Sequence, residues 1–213
     1  RLMYRYQILL EYIGSPFIGW QIQKKGKTVQ KTLQSVLSKL LKQPIKIYGA
    51  GRTDTGVHAI EQSAHFDTKK KILNIKNFIK SLNFFLNKKK ISIKKLKQKS
   101  NNFHARHSAK ERTYIYLIRN NFSPSVINQG REWHIINDID IILLKKGARK
   151  FVGTHNFSTY RASNCNSSSP IKTIKSIKIT KNKDLIKIKI VSKSFLKSQV
   201  RSMVGCLKYL GEK

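Results

Sequence analysis

The sequence predicts an α+β protein of two similar halves, each a mainly antiparallel sheet with helices packed on one face and the active cleft between them. Three observations carry that expectation. Apolar residues alternate with period two in several short segments, amphipathic helical stripes stand between those segments, and the order strand, helix, strands, helix runs twice along the chain. At 213 residues the chain can bury a sizeable core in one or two domains. The expected division is residues 1–102 and 103–213.

Residues 4–12 read as a strand, because Tyr4, Tyr6, Ile8, Leu10 and Tyr12 share one phase. Gly14, Ser15, Pro16 and Gly19 then break the pattern into a loop. A helix over 28–42 follows from the stripe Val29, Leu33, Val36, Leu37, Leu40 and Leu41, with Thr28 as its cap. Pro44 helps end it, and Ile45–Tyr48 begins a short strand. The run Gly49–Gly56 is too rich in glycine for the interior of an element and reads as a shaped loop. Strand 61–66, helix 75–86, strand 91–96 and a connector over 97–109 complete the first half. In the second, Tyr114, Tyr116 and Ile118 alternate through a strand from about 111 to 119, and Asp138 is expected to start a helix ending near 150. Strands near 172–180 and 184–192 alternate Ile with Lys, and a helix begins near Ser198. Period-two Lys is first of all a solvated sheet face; a cationic face for RNA is its rival.

Forty-four Lys and Arg against ten Asp and Glu give a formal charge of +34. Such a field draws polyanions, nucleic acid or an anionic membrane surface. The abundance of Lys, Ile and Asn is also what a bias toward AT-rich codons leaves, so the charge suggests RNA without proving it. The two cysteines, Cys165 and Cys206, are far apart and imply neither a disulfide framework nor a metal cluster. No apolar run reaches the roughly 18 residues that span a bilayer. The chain opens on a strand-like pattern without a secretory segment. A cytoplasmic enzyme that does not bind membranes is the expectation.

The most informative segment is Gly51-Arg-Thr-Asp-Thr-Gly-Val-His58, which holds one of the few acidic residues. Glycine on both sides of Asp54 permits left-handed backbone or close approach of a ligand. Arg52 could pair with Asp54, keeping it ionised as a nucleophile or base requires, or could hold a substrate phosphate. An Asx-turn, in which the carboxylate only closes the loop on its own backbone, fits the local chemistry equally well. Asp54-Thr55-Gly56 also matches the short signature of aspartic proteases. That chemistry needs two such aspartates, so only a symmetric dimer of this chain could supply it.

The whole string from Gly51 to His58 resembles the signature of the TruA-type tRNA pseudouridine synthases. Further pieces stand in that family's order: Phe17, Gly19, Trp20 and Gln21; Phe103-His104-Ala105-Arg106; Arg112-Thr113-Tyr114-Ile115-Tyr116; Gly153, His155, Phe157 and Ser158; and Phe195-Leu196 with Gln199-Val200-Arg201. The resemblance covers nearly the entire chain. It implies an enzyme that detaches uracil from its ribose, rotates it and rejoins it through carbon, with no cofactor and no metal. It implies action on uridines of the tRNA anticodon stem-loop and a homodimeric assembly. Asp54 matches the family's catalytic aspartate and Tyr114 its active-site tyrosine. Arg201 matches an arginine expected to pair with Asp54 or a substrate phosphate.

Arg52, His58, Arg106, Lys24, Lys25 and Phe195 are further candidates for RNA or pocket contacts. Each has a plainer reading: a surface or salt-bridging arginine, a loop histidine satisfied by backbone, a solvated lysine loop, a core phenylalanine. Trp20 reads as loop packing. His104 and His107 lack the cysteine or acidic neighbours of a zinc site. The chain departs from the family pattern at His107, where Phe or Tyr is usual. It also ends soon after the Arg201 helix, so the second half is expected to be incomplete.

Overall fold

Tyr6, Ile8, Leu10 and Tyr12 point to one side of strand β1 (Tyr4–Tyr12), and all four are buried. In a computed structural model, which describes residues 2–212, β1 pairs on either side with β3 (Ala59–Thr68) and β4 (Ile91–Lys99). Strand β2 (Ile47–Gly49) adds outside β3, giving a sheet of order β2-β3-β1-β4 with every pair antiparallel. Helices α1 (Val29–Leu41) and α2 (Ile75–Leu86) cover the apolar side. Their Val29, Leu33, Leu37, Leu82 and Leu86 join the inward residues of β1 in one core. Thr28 caps α1 as expected, its hydroxyl accepting the Lys31 N–H. The helix stops before Pro44, at Lys42, which adopts the left-handed conformation and returns its N–H to the Ser38 carbonyl. Polar side chains of α1 then set the next strand: Ser38 accepts the Ile45 N–H at 2.9 Å and Gln34 accepts the Ile47 N–H at 3.0 Å.

The other side of this sheet is polar, with Arg5 opposite Asp67 and Gln7 opposite His65. It gathers the segment that follows β4. The Arg5 guanidinium forks onto Asp67 at 2.7 and 2.8 Å and donates to the carbonyls of Asn101 and Phe103. His65, 1% exposed, accepts the Ala105 N–H on Nδ1. The first compact unit therefore runs to Ala109 and the second from Lys110.

In the second unit, β5 (Arg112–Asn120) pairs with β9 (Leu185–Ser192), and β9 with β8 (Ile171–Asn182). Two short edge strands not expected from the sequence, β6 (Trp133–Ile135) and β7 (Gly153–Asn156), complete the order β6-β5-β9-β8-β7. Only β6 runs parallel to its neighbour. Ile186, Ile188 and Ile190 face a core shared with Leu144 and Ala148 of α3 (Ile141–Phe151) and Met203, Val204 and Leu207 of α4 (Gln199–Gly211). Lys187 and Lys189 take the opposite face, where Lys178 lies directly across from Lys189. Helix α3 starts later than the sequence indicates. Asp140, not Asp138, is its cap, accepting the N–H groups of Ile142 and Leu143, while Ile139 is held extended by a bridge to Glu212.

Burial, together with the nearby His104 and Arg5, pushes the His65 pKa down from its ordinary 6.5 to about 4. The unfolded chain takes up this proton below about pH 6.5, and the native ring refuses it until about pH 4. Native stability is thus full above pH 6.5 and falls through that window, by roughly 1–3 kcal/mol. Urea titrations followed by Trp20 fluorescence in a Trp133→Phe background should show the decline, and His65→Gln should flatten it.

Candidate active site

The glycine-rich loop is fixed by the loop that follows β1. Trp20 donates its backbone N–H to the Thr53 carbonyl at 3.0 Å, and the Tyr12 hydroxyl meets Thr53 Oγ1 at 2.8 Å. The Gly14 N–H reaches His58 Nδ1 at 2.9 Å. Gln62 and Ser63 of β3 hold the near end, through Gln62 to the Gly51 carbonyl and the Ala50 N–H to the Ser63 carbonyl. The two loops lie so close that a Cβ on Gly14 would sit 2.1 Å from the Val57 carbonyl oxygen, and one on Gly19 2.8 Å from that of Thr53. Trp20 is 2% exposed and packs beneath Gly49, the role the sequence favours for it.

Within this frame Asp54 is half-buried. Its backbone carbonyl accepts the Val57 N–H at 3.1 Å, closing a four-residue turn. Gly56, third in that turn, has a φ of 77°, which glycine adopts without strain. The turn is closed by main chain, so the carboxylate is not consumed as an Asx-turn. Among the described residues it enters no hydrogen bond or ion pair. Arg52 does not pair with it there; its side chain lines a cavity instead.

That cavity, of about 190 Å³, is bounded by Trp20, Tyr48, Arg52, His104, Arg106 and His107, with Gln21, Gln30 and Gly49 completing the wall. No carboxylate lines it. Tyr48 stacks on His65 with centroids 5.2 Å apart, and His104 lies 4.5 Å from His65 and 4.4 Å from His107. Burial, His107 and the cations Arg5 and Arg106 hold His104 below the usual histidine range. Arg52 and Arg106, both proposed from sequence, thus share one site. His58 is separate, one ring nitrogen spent on the clamp. Lys24 and Lys25 are exposed in the loop before α1. Tyr48 was missed, and the one available signal was an aromatic at an exposed position of a three-residue strand.

The remaining candidates belong to the second unit. Arg112 donates to the Lys193 carbonyl, fixing the start of β5 so that Tyr114 lies opposite Ile190. The Tyr114 ring meets Phe195 edge-on, at 5.0 Å and 89°. Phe195 lies in the turn leading to α4, where Gln199 accepts the Leu196 N–H and Ser198 is left-handed. Arg201 is exposed on the first turn of α4, close enough to Tyr116 to oppose the rise in its hydroxyl pKa that burial causes. The structure therefore brings Tyr114 and Phe195 together, with Arg201 near Tyr116 in the same unit. Among the described residues no group of three or more His, Cys, Asp or Glu could hold a metal ion, and no helix is long and apolar enough to cross a membrane.

A two-unit α+β chain with a spare carboxylate on a clamped glycine loop, and a cationic, aromatic-walled cavity close by in the chain, has the makings of an enzyme that works on a polyanion. The chain belongs to the tRNA pseudouridine synthase family, whose model matches residues 8–108 and 148–213. It is 57% identical over 210 residues to tRNA pseudouridine synthase A of Pelagibacter ubique, covering 99% of this chain and 85% of that protein. It is 40% identical over 210 residues to tRNA pseudouridine synthase A of Paramagnetospirillum magneticum, covering 99% of this chain and 82% of that one. The chain is thus an isomerase by family and shorter than these relatives.

The clamp can be tested by stability alone. Gly14→Ala forces the two loops apart and should cost the first unit about 1–3 kcal/mol. Thr53→Val, which removes the Tyr12 bond, should cost about 1 kcal/mol. Urea midpoints read from Trp20 check both, and unchanged midpoints would show that these contacts do not hold the loop.

Proposed function

We propose that this protein converts uridine to pseudouridine in the anticodon stem-loop of tRNA, with the Asp54 carboxylate as its catalytic group. The observation that carries the reading is that carboxylate, left unengaged on a loop whose backbone closes the turn without it, in a chain of this family. The target base is stacked in the stem-loop and must be turned out, at a cost of a few kcal/mol. Asp54 attacks the sugar C1′ or assists departure of the base as the N1–C1′ bond breaks. The uracil rotates and C5 bonds to C1′, with the bond from C1′ to the carboxylate breaking where Asp54 had added; the C5 proton is lost and N1 regains one.

Tyr114, whose ring is steadied by Phe195, is assigned to stack on the uracil and to help move the C5 proton through its hydroxyl. Arg201 is assigned to pair with Asp54 or a substrate phosphate. Arg52, Arg106, Lys24 and Lys25 hold the RNA backbone, and His58 keeps the loop in place. Backbone contacts of this kind carry little sequence information, which suits an enzyme that reaches neighbouring uridines. The assembly implied by the family likeness is a homodimer, and light scattering would measure its mass. Nothing in the loop favours an aspartic-type hydrolase over this reading.

Incubation with an unmodified tRNA transcript, followed by position-resolved detection of pseudouridine, should show conversion confined to the anticodon arm. Binding without conversion would instead make the chain an RNA-binding homologue that has lost turnover. Tyr114→Phe should lower the single-turnover rate about 10- to 100-fold with tRNA affinity little changed, as expected for a group acting in proton transfer. An equal loss of affinity would assign Tyr114 to binding.

A further inference from the structure

The first unit holds three histidines in a row on the polar side of its sheet, and the proposed chemistry uses none of them. They are not equivalent. His65 is buried with Nδ1 occupied by the Ala105 N–H. His104 accepts the Arg106 N–H on Nδ1 at 3.2 Å, which leaves its proton on Nε2 and makes the ring a neutral donor. His107 is exposed at the cavity and its ring takes no hydrogen bond among the described residues. It is the histidine in this row able to gain a proton without breaking a backbone bond.

The charges facing it are nearly all positive. Arg52 comes from the glycine loop and Arg106 from its own segment, and both line the cavity. Behind His104, on the sheet, lie Arg5 of β1, Tyr48 of β2, and His65 and Asp67 of β3. Asp67 is already held by the Arg5 fork at 2.7 and 2.8 Å, so its charge is neutralised within the sheet. A cavity with cationic and N–H donors, two aromatic walls and no lining carboxylate is built for an anion carried beside a planar group, as a nucleotide carries it.

We propose that this cavity is a subsite for an RNA backbone phosphate, held by Arg52 and His107 with the neutral Nε2–H of His104 as a further donor, and that occupancy draws a proton onto His107. The inference rests on the reading of the protein as one that acts on tRNA, and adds to it a second contact point whose strength depends on pH. A phosphate bound against His107 would place an opposite charge within about 4–6 Å of its ring, which favours the protonated form. Proton uptake on binding means that affinity rises as pH falls.

The test measures tRNA affinity of the full chain at fixed ionic strength between pH 8 and pH 6, using an unmodified transcript. Wild type should tighten about threefold or more beyond the change seen for His107→Gln, the expectation for uptake of part of one proton. His107 is exposed, so this variant should fold. Arg52→Gln should reduce the slope of log affinity against log salt by about 1, as loss of one phosphate contact does. In NMR titrations, tRNA should raise the pH midpoint of the His107 ring. Identical pH profiles for wild type and His107→Gln would overturn the proposal, as would a midpoint that moves with inorganic phosphate but not with tRNA. Asp54→Asn separates the two readings. If wild type and Asp54→Asn both bind with the pH dependence but neither converts uridine, the subsite stands and the activity falls. If conversion proceeds and the His107 dependence is absent, the subsite alone falls.

Discussion

The contact between the loop after β1 and the glycine-rich loop before β3 is the constraint on which the site depends. Three polar contacts and two closely packed glycines hold residues 50–58 against residues 12–20, and Gln62 of β3 ties down Gly51. Half of the donors and acceptors in that contact are backbone and none is the Asp54 carboxylate, so they fix position without using up the side chain that matters. A carboxylate that closed its own loop would have its lone pairs committed. Here the main chain of Asp54 makes the turn and the carboxylate is left over. Helix α1 contributes indirectly, since Gln34 and Ser38 place the start of β2 and thereby the entry to the loop.

Charge is distributed with the same division of labour. Each sheet turns an apolar face to its own helices, and in the second unit Lys178, Lys187 and Lys189 lie on the opposite face. In the first unit two of the acidic groups are paired within the sheet, Asp67 with Arg5 and Glu11 with Lys94 at 3.3 Å. The second unit does likewise, with Glu132 and Asp184 both on Arg119. The histidine cavity is lined by Arg52 and Arg106 and by no carboxylate.

Most of the architecture was legible because it rests on periodicity. The phase of β1, the stripe of α1 and the full extent of helix 75–86 follow from where apolar residues fall. Strands β6 and β7 were not legible: three and four residues at a sheet edge bury too little to impose a pattern, and their pairing comes from the longer neighbour. Asp138 misled because it and Asp140 are both plausible caps, and the choice is made by the distant Ile139–Glu212 bridge. At the site, Asp54 stood out through its glycine context. Tyr12, Thr53 and Tyr48 did not, because each acts through a partner far along the chain. The pairing of Arg52 with Arg106, 54 positions later, was likewise invisible until Arg5 and His65 folded the segment 101–107 back over the sheet.

The central claim is that the Asp54 carboxylate performs the isomerisation, and C5 of the target uridine reports on it directly. Joining C5 to C1′ must expel the hydrogen on C5, so tRNA carrying tritium there should release it to water once per converted site. Under single turnover with enzyme in excess, wild type should release tritium from anticodon-arm uridines, and Asp54→Asn should bind the same tRNA and release none. Release by Asp54→Asn at the wild-type rate would contradict the account.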